Sequence, residues 1–216
     1  MLSPTVFNTI PVQMPERPIL IRLGYRKSRT RLSAKAQVDT MRIMHDGFEK
    51  CVPMGAWARL SIVSRDEKSV VLEDDTVLSS ASLAILLGKS SAVAVMAATV
   101  GTEIVQAAEK AVAAQRGAEA VIYDAVGGQT ADAAMTWINE MIRQQLLRRG
   151  EHLTRHRFSP GYGDLHLDTQ RHIYRWLQLE RLGLTLTPGC MLVPEKSVTA
   201  LAGIEQTTTI EEADET

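Results

Sequence analysis

Cysteine is scarce in this 216-residue chain: Cys51 and Cys190 are the two, and neither belongs to a Cys-x-x-Cys pair or a His/Cys cluster. That leaves no disulfide framework and none of the common zinc spacings, so both read as reduced structural thiols. A charge excess of either sign is also missing. The 24 Lys and Arg against 25 Asp and Glu give a net charge of -1, which removes any global electrostatic reason to bind nucleic acid or an anionic membrane. No apolar run reaches the roughly 20 residues of a bilayer span, and the start, Met1 to Asn8, lacks the basic and apolar regions of a secretory signal. A cytoplasmic location without membrane association is the expectation. What the chain does have is 45% hydrophobic residues, enough to bury a substantial core in one large domain or two closely packed lobes.

Residues 1–32 carry Pro4, Pro11, Pro15 and Pro18, then the basic run Arg22, Arg26, Lys27, Arg29 and Arg31. They predict an irregular N-terminal arm with a solvated basic face. Ser33 is placed to cap a helix to about Val52, in which Val38, Met41, Met44 or His45, Phe48 and Cys51 form one buried stripe. The β-rich runs 57–63 and 69–72, parted by Arg65-Asp-Glu-Lys68, predict an antiparallel pair. A helix over 82–87 and an interior strand over 92–97 follow. Thr99-Val-Gly-Thr-Glu103 then opens a helix to about Gln115. Thr99 or Thr102 is its cap and Glu103 meets the positive end of the dipole; a lone glycine makes no phosphate turn, which needs several backbone donors brought together by a Gly-rich pattern. A long helix over 118–149 contains Gly127-Gly128, a pair that implies a kink or a close helix contact. The polar, acidic stretch 205–216 is too poor in apolar residues to order itself.

The most informative segment is 157–204. Arg157-Phe-Ser-Pro-Gly-Tyr162 sets a guanidinium fork, a Pro-Gly bend and a phenol within six residues, a combination suited to a small anionic or zwitterionic ligand. In the following helix Ile173, Tyr174, Trp176 and Leu177, with Leu184 beyond it, read as core. Ser197 with Val198 reads as the start of a strand.

The order Arg157-x-x-x-Gly161-Tyr162, a helix with Gln170, Trp176 and Leu177, then Leu182-Gly-Leu-Thr-Leu-Thr187 and Met191-x-x-Pro194-x-x-Ser197-Val198 resembles the S-adenosylmethionine-binding activation domain of cobalamin-dependent methionine synthase. The stretch from Val126-Gly-Gly-Gln-Thr-Ala-Asp132 to Glu140 resembles the long helix preceding that family's loop. The resemblance implies an α+β fold, a mainly antiparallel twisted sheet flanked by long helices, over residues 33–204.

It also implies a function: an accessory component that binds S-adenosylmethionine and supports reductive methylation of cobalamin carried by a partner. The partner would be a corrinoid-binding methyltransferase or a methionine synthase lacking its own activation domain, with a flavodoxin or ferredoxin-type electron donor. By this resemblance Arg157 pairs with the methionyl carboxylate or anchors the loop, Ser159 and Gly161 offer backbone groups to the adenosine, Tyr162 lines the ligand, and Glu140 lies near the methionyl amino group. No catalytic acid, base or metal ligand is implied, because methyl transfer from a sulfonium is a displacement governed by positioning. The string Asp164-Leu-His166-Leu-Asp-Thr169 approaches the Asp-x-His-x-x-Gly of cobalamin modules, yet Thr169 replaces the glycine, so His166 is read as part of the loop region rather than as a corrinoid ligand. The chain departs from the large enzymes in having no tyrosine after Ser197. That departure supports an alternative: a noncatalytic corrinoid-protein interaction or chaperone module that has lost S-adenosylmethionine binding.

Overall fold

The computed structural model describes residues 3–26 and 33–207. In chain order the elements are β1 (Thr5–Phe7), α1 (Glu16–Arg22), α2 (Ala34–Glu49), β2 (Met54–Arg65), β3 (Ser69–Leu72), β4 (Val77–Ser79), α3 (Ala81–Leu86) and β5 (Ala92–Thr99). Then come α4 (Glu103–Ala113), α5 (Gly117–Leu147), β6 (Glu151–Leu153), α6 (Gln170–Leu177), β7 (Thr185–Leu186), β8 (Leu192–Val193) and β9 (Ser197–Gln206). A curled antiparallel sheet runs β4-β3-β2-β5-β9-β6, with β1 added beside β2, and β7 and β8 form a separate ribbon.

Strand β5 sits at the centre, paired with β2 on one side and β9 on the other, and all eight of its residues are buried. Its alternation splits the core in two. Val93, Val95 and Ala97 join Leu60 and Leu201 against Leu83, Ile173, Trp176 and Leu177 from α3 and α6. Ala92, Ala94, Met96 and Ala98 join Ala200, Ala202 and Ile204 against Ala134, Met135, Ile138 and Ile142 of α5. The alanines on the second face let the long helix lie close to the sheet. At Gly55 a Cβ would sit 2.6 Å from the carbonyl oxygen of Ala97 and against the Ile138 side chain.

Several expectations meet this structure directly. The Ser33 hydroxyl caps α2 by accepting from the Ala36 amide at 3.2 Å, but the buried residues of that helix are Thr40, Met44 and Gly47, while Val38 is 67% exposed. Helix α5 runs unbroken through Gly127-Gly128, and Gly127 is the close contact, with Ile104 of α4 against it. The N-terminal arm is corrected: β1 and α1 lie within residues 1–32. Pro18 falls in the first turn of α1, where its missing N–H leaves no helical bond unmade. Lys27, Arg29 and Arg31 lie outside the described residues, as does the chain beyond 207. Glu205 and Gln206 of the expected tail belong to β9. Among the described residues no helix is long and apolar enough to cross a membrane.

Candidate functional site

Leaving β6, the chain doubles back beneath the C-terminal strand. Phe158 and Leu201 exchange backbone hydrogen bonds at 2.8 and 2.7 Å, and the Ser159 hydroxyl donates to the Thr199 carbonyl at 2.8 Å. Arg157 turns the other way, its guanidinium donating to the Met135 carbonyl of α5 at 3.3 Å. The loop is therefore stretched between sheet and helix. It then closes on itself through Tyr162 N–H to Ser159 at 3.2 Å and Gly161 N–H to Leu165 at 2.8 Å. Gly161 has φ +86°, which a side chain rarely adopts, and a Cβ there would stand 3.3 Å from Leu167.

A second anchor lies just past the tyrosine. The Asp164 carboxylate accepts from the Ser80 hydroxyl at 2.6 Å and from the Ala81 and Ser82 amides at 2.6 and 3.3 Å, at the start of α3. These hydrogen bonds, the Ser80 one foremost, pull its pKa down to about 2. Helix α6 completes the frame: buried Gln170 accepts from the Thr199 hydroxyl at 2.7 Å. Tyr174 donates to the Leu184 carbonyl at 3.0 Å and Trp176 donates to Asp74 at 2.6 Å. Ile173, Trp176, Leu177 and Leu184 are core, in line with their sequence reading.

Between loop, α5, the start of α6 and β9 lies an open cleft of about 680 Å³, within the range of small-molecule sites. Its apolar lining includes Met135, Phe158, Leu167, Leu192 and Val198. Its ionisable groups include Arg157, Asp132 and Glu195, and the Tyr162 ring stands at the rim, 71% exposed. Asp132 is raised above the ordinary carboxylate value: partial enclosure of its carboxyl outweighs the positive charges of Arg157 and Arg22, although the residue as a whole is exposed. No histidine lines the cleft, and no group of His, Cys, Asp and Glu among the described residues is arranged to hold a metal ion. The arrangement suits binding of an amphipathic, charged small molecule.

Of the residues singled out from sequence, Arg157, Ser159 and Tyr162 meet in the cleft, and Gly161 shapes the loop without lining it. Glu140 does not join them. It is exposed on α5, eight residues beyond Asp132 and so about 12 Å further along the helix. The acid on the α5 wall is Asp132, one turn before Met135, whose carbonyl holds Arg157. Sequence reasoning missed Asp132, Glu195 and the Gln170–Thr199 pair. Asp132 becomes visible only once Met135 is seen to receive the loop, because residues i and i+3 share a helix face. Ser197 is spoken for structurally: its hydroxyl donates to the Pro194 carbonyl at 2.7 Å and lies 2.8 Å from the Thr99 hydroxyl. Cys51 and Cys190 are free thiols, and burial pushes the Cys51 thiol up to about 11.

No protein-family model and no curated protein matches the sequence. Among solved structures, the crystal structure of the MetH reactivation domain bound to AdoHcy is similar, with a TM-score of 0.61 and 14% identity. The match covers 96% of this chain and 80% of that one. The chain therefore has the fold of that domain, and the α+β architecture expected from the resemblance is borne out.

Proposed function

We propose that this chain is an accessory methyl-transfer component that binds S-adenosylmethionine in the loop cleft and serves the reductive methylation of a cobalamin-carrying partner. One observation carries the reading: the Arg157–Tyr162 loop is fastened to α5 and β9 around an open cleft, in the fold of a domain solved with AdoHcy. The residues present fit such a ligand. A guanidinium fork serves a carboxylate, two carboxylates serve cationic centres, and the apolar lining serves an adenine.

Bound there, S-adenosylmethionine would supply an activated methyl group to the partner's corrinoid once a flavodoxin or ferredoxin-type donor had reduced that corrinoid by one electron, and would leave as S-adenosylhomocysteine. The chain's own contribution is geometric. Arg157, held from behind by Met135, orients the methionyl carboxylate. The backbone at Ser159 and Pro160 offers polar groups to the nucleoside, and Tyr162 at the rim covers it and limits the approach of water. The Asp164 anchor keeps the loop from swinging off the cleft. Orientation of this kind is what a displacement at a methyl carbon requires of a protein.

Calorimetric titration with S-adenosylmethionine, repeated with Arg157→Ala, tests the proposal. Saturable binding weakened at least tenfold by the substitution supports it. Absence of binding to the folded intact protein at millimolar ligand sinks it. A noncatalytic interaction module is the second reading, favoured by one feature: β9 has no aromatic residue to close the open side of the cleft. Capture of a corrinoid protein with no effect of S-adenosylmethionine would select it.

A further inference from the structure

This inference rests on the reading just given. The ionisable lining of the cleft is unbalanced, with Asp132 and Glu195 facing the single guanidinium of Arg157. Glu195 lies in the turn between β8 and β9, its side chain 63% exposed and its Oε1 2.7 Å from Lys196 Nζ. A surface pair of neighbours would ordinarily mean little. Lys196, however, is not available to Glu195 alone. Its Nζ is 2.5 Å from Asp124 Oδ1 of α5, its side chain is only 14% exposed, and its stem packs on Gly127, where a Cβ would lie 3.0 Å from Lys196 Cγ. Burial disfavours its charge, yet hydrogen bonds to Asp124 and Glu195 outweigh that and raise its pKa. The lysine is thus a fixed cationic post shared by two carboxylates. Asp124 also has the Arg22 guanidinium 3.9 Å away, so the lysine is not its only cation, and Lys196 holds the head of Glu195 in place at the cleft.

The ligand's charges can be matched against this wall. At neutral pH S-adenosylmethionine carries a carboxylate, an ammonium and a sulfonium, whereas its demethylated product keeps the first two and has a neutral thioether. Arg157 complements the carboxylate and Asp132, beside it, the ammonium, so one carboxylate remains for the third charge. We infer that Glu195 is a specificity-determining residue that biases the cleft toward the cationic methyl donor over the neutral thioether product. Lys196 is its positioning residue. The consequence is directional, since loss of the sulfonium charge on methyl transfer weakens the hold on the product and empties the cleft for the next donor.

The test is equilibrium binding of S-adenosylmethionine, S-adenosylhomocysteine and sinefungin, whose amine places a cation near the sulfonium position, to the full chain and to Glu195→Gln and Glu195→Asp. The intact protein should prefer both cationic ligands. Glu195→Gln should weaken these two about fivefold, the scale of an exposed charge pair, and leave the thioether within twofold. Glu195→Asp should retain most of the preference. In the intact protein, 0.5 M salt should shrink the preference, as screening of a half-exposed carboxylate requires. Equal losses for all three ligands in Glu195→Gln, or no loss for any, would overturn the role of Glu195 while leaving the ligand reading intact. No binding of any of the three to the intact protein would overturn the ligand reading itself, and this inference with it.

Discussion

Asp164 accepts three hydrogen bonds and belongs to the same turn as Tyr162, so its removal should be felt in the cleft before it is felt in the fold. Asp164→Ala is expected to raise the Kd for S-adenosylmethionine severalfold with only a small drop in Tm, and Asp164→Asn, which keeps one acceptor oxygen, less on both counts. Calorimetry and a thermal melt on the same samples check this. The pH dependence has a definite sign. The folded pKa of about 2 lies below the ordinary aspartate value, so the anchor contributes fully above about pH 4 and is lost as pH falls from about 4 to about 2. The group stays ionised across pH 5 to 8, so any change of affinity with pH in that range should owe nothing to it. The contrast between Arg157 and Glu140 shows how far a sequence carries at this scale. Arg157, Ser159 and Tyr162 are a local motif whose spacing fixes their neighbourhood, whereas the acid opposite them depends on how a 31-residue helix is rotated and slid against the loop. Nothing in the helix's composition fixes that register. Asp132 is identified only by the hydrogen bond from Arg157 to Met135.

At the scale of elements, the strands and helices that announce themselves are those whose periodicity is paid for locally. The β2–β3 hairpin, the all-buried β5 and the capped start of α2 are of this kind. Strand β1 is not. Its three residues pair only because β2 extends its edge past β3, a fact about β2 that residues 5–7 do not contain. The stripe of α2 holds except at its first position: Met41, Met44, Phe48 and Cys51 pack with Ile122 and Val126 of α5, Gly47 sits under the Tyr123 ring, and Val38 stays outside. The short edge strand β6 is held by an ion pair that no local pattern foretells. Arg59 of β2 reaches across the alanines of β5 and β9 to donate twice to Glu151, both at 2.7 Å, with the carboxylate side chain 6% exposed. Glu151→Ala strands the guanidinium and should cost about 2 kcal/mol, less than the 3 to 5 of a fully buried pair because Arg59 is partly solvated. The hydrogen bonds from Arg59 lower the Glu151 pKa. Its contribution is thus present above about pH 4.5 and lost as pH falls through the lowered value. Urea melts at pH 7 and pH 3 should show the variant's deficit shrinking at the lower pH.

For the molecule as a whole, α5 is the organising piece: it packs on the sheet with one side and against α1, α2 and α4 with the others. The same helix supplies the Asp132 and Met135 wall of the cleft and, through Asp124, the post that fixes Lys196. Its two glycines separate propensity from packing. At Gly128 a Cβ meets nothing within 4 Å, so Gly128→Ala should raise stability by about 1 kcal/mol through helix propensity alone. At Gly127 the same Cβ would lie 3.0 Å from Lys196 Cγ and 3.3 Å from Ile104 Cγ1. Gly127→Ala carries the same propensity gain, offset by overpacking of the order of 1 to 3 kcal/mol, and should come out neutral or destabilised. Urea denaturation of the two variants reads the difference directly. The sharper expectation joins fold to site: relief of the crowding at Gly127 must push Lys196 away from α5, so Gly127→Ala should also loosen Glu195 and reduce the preference for the cationic ligand, while Gly128→Ala leaves it unchanged. Two adjacent alanines that stabilise equally and leave ligand preference alike would mean that α5 and the β8–β9 turn are not coupled through Lys196.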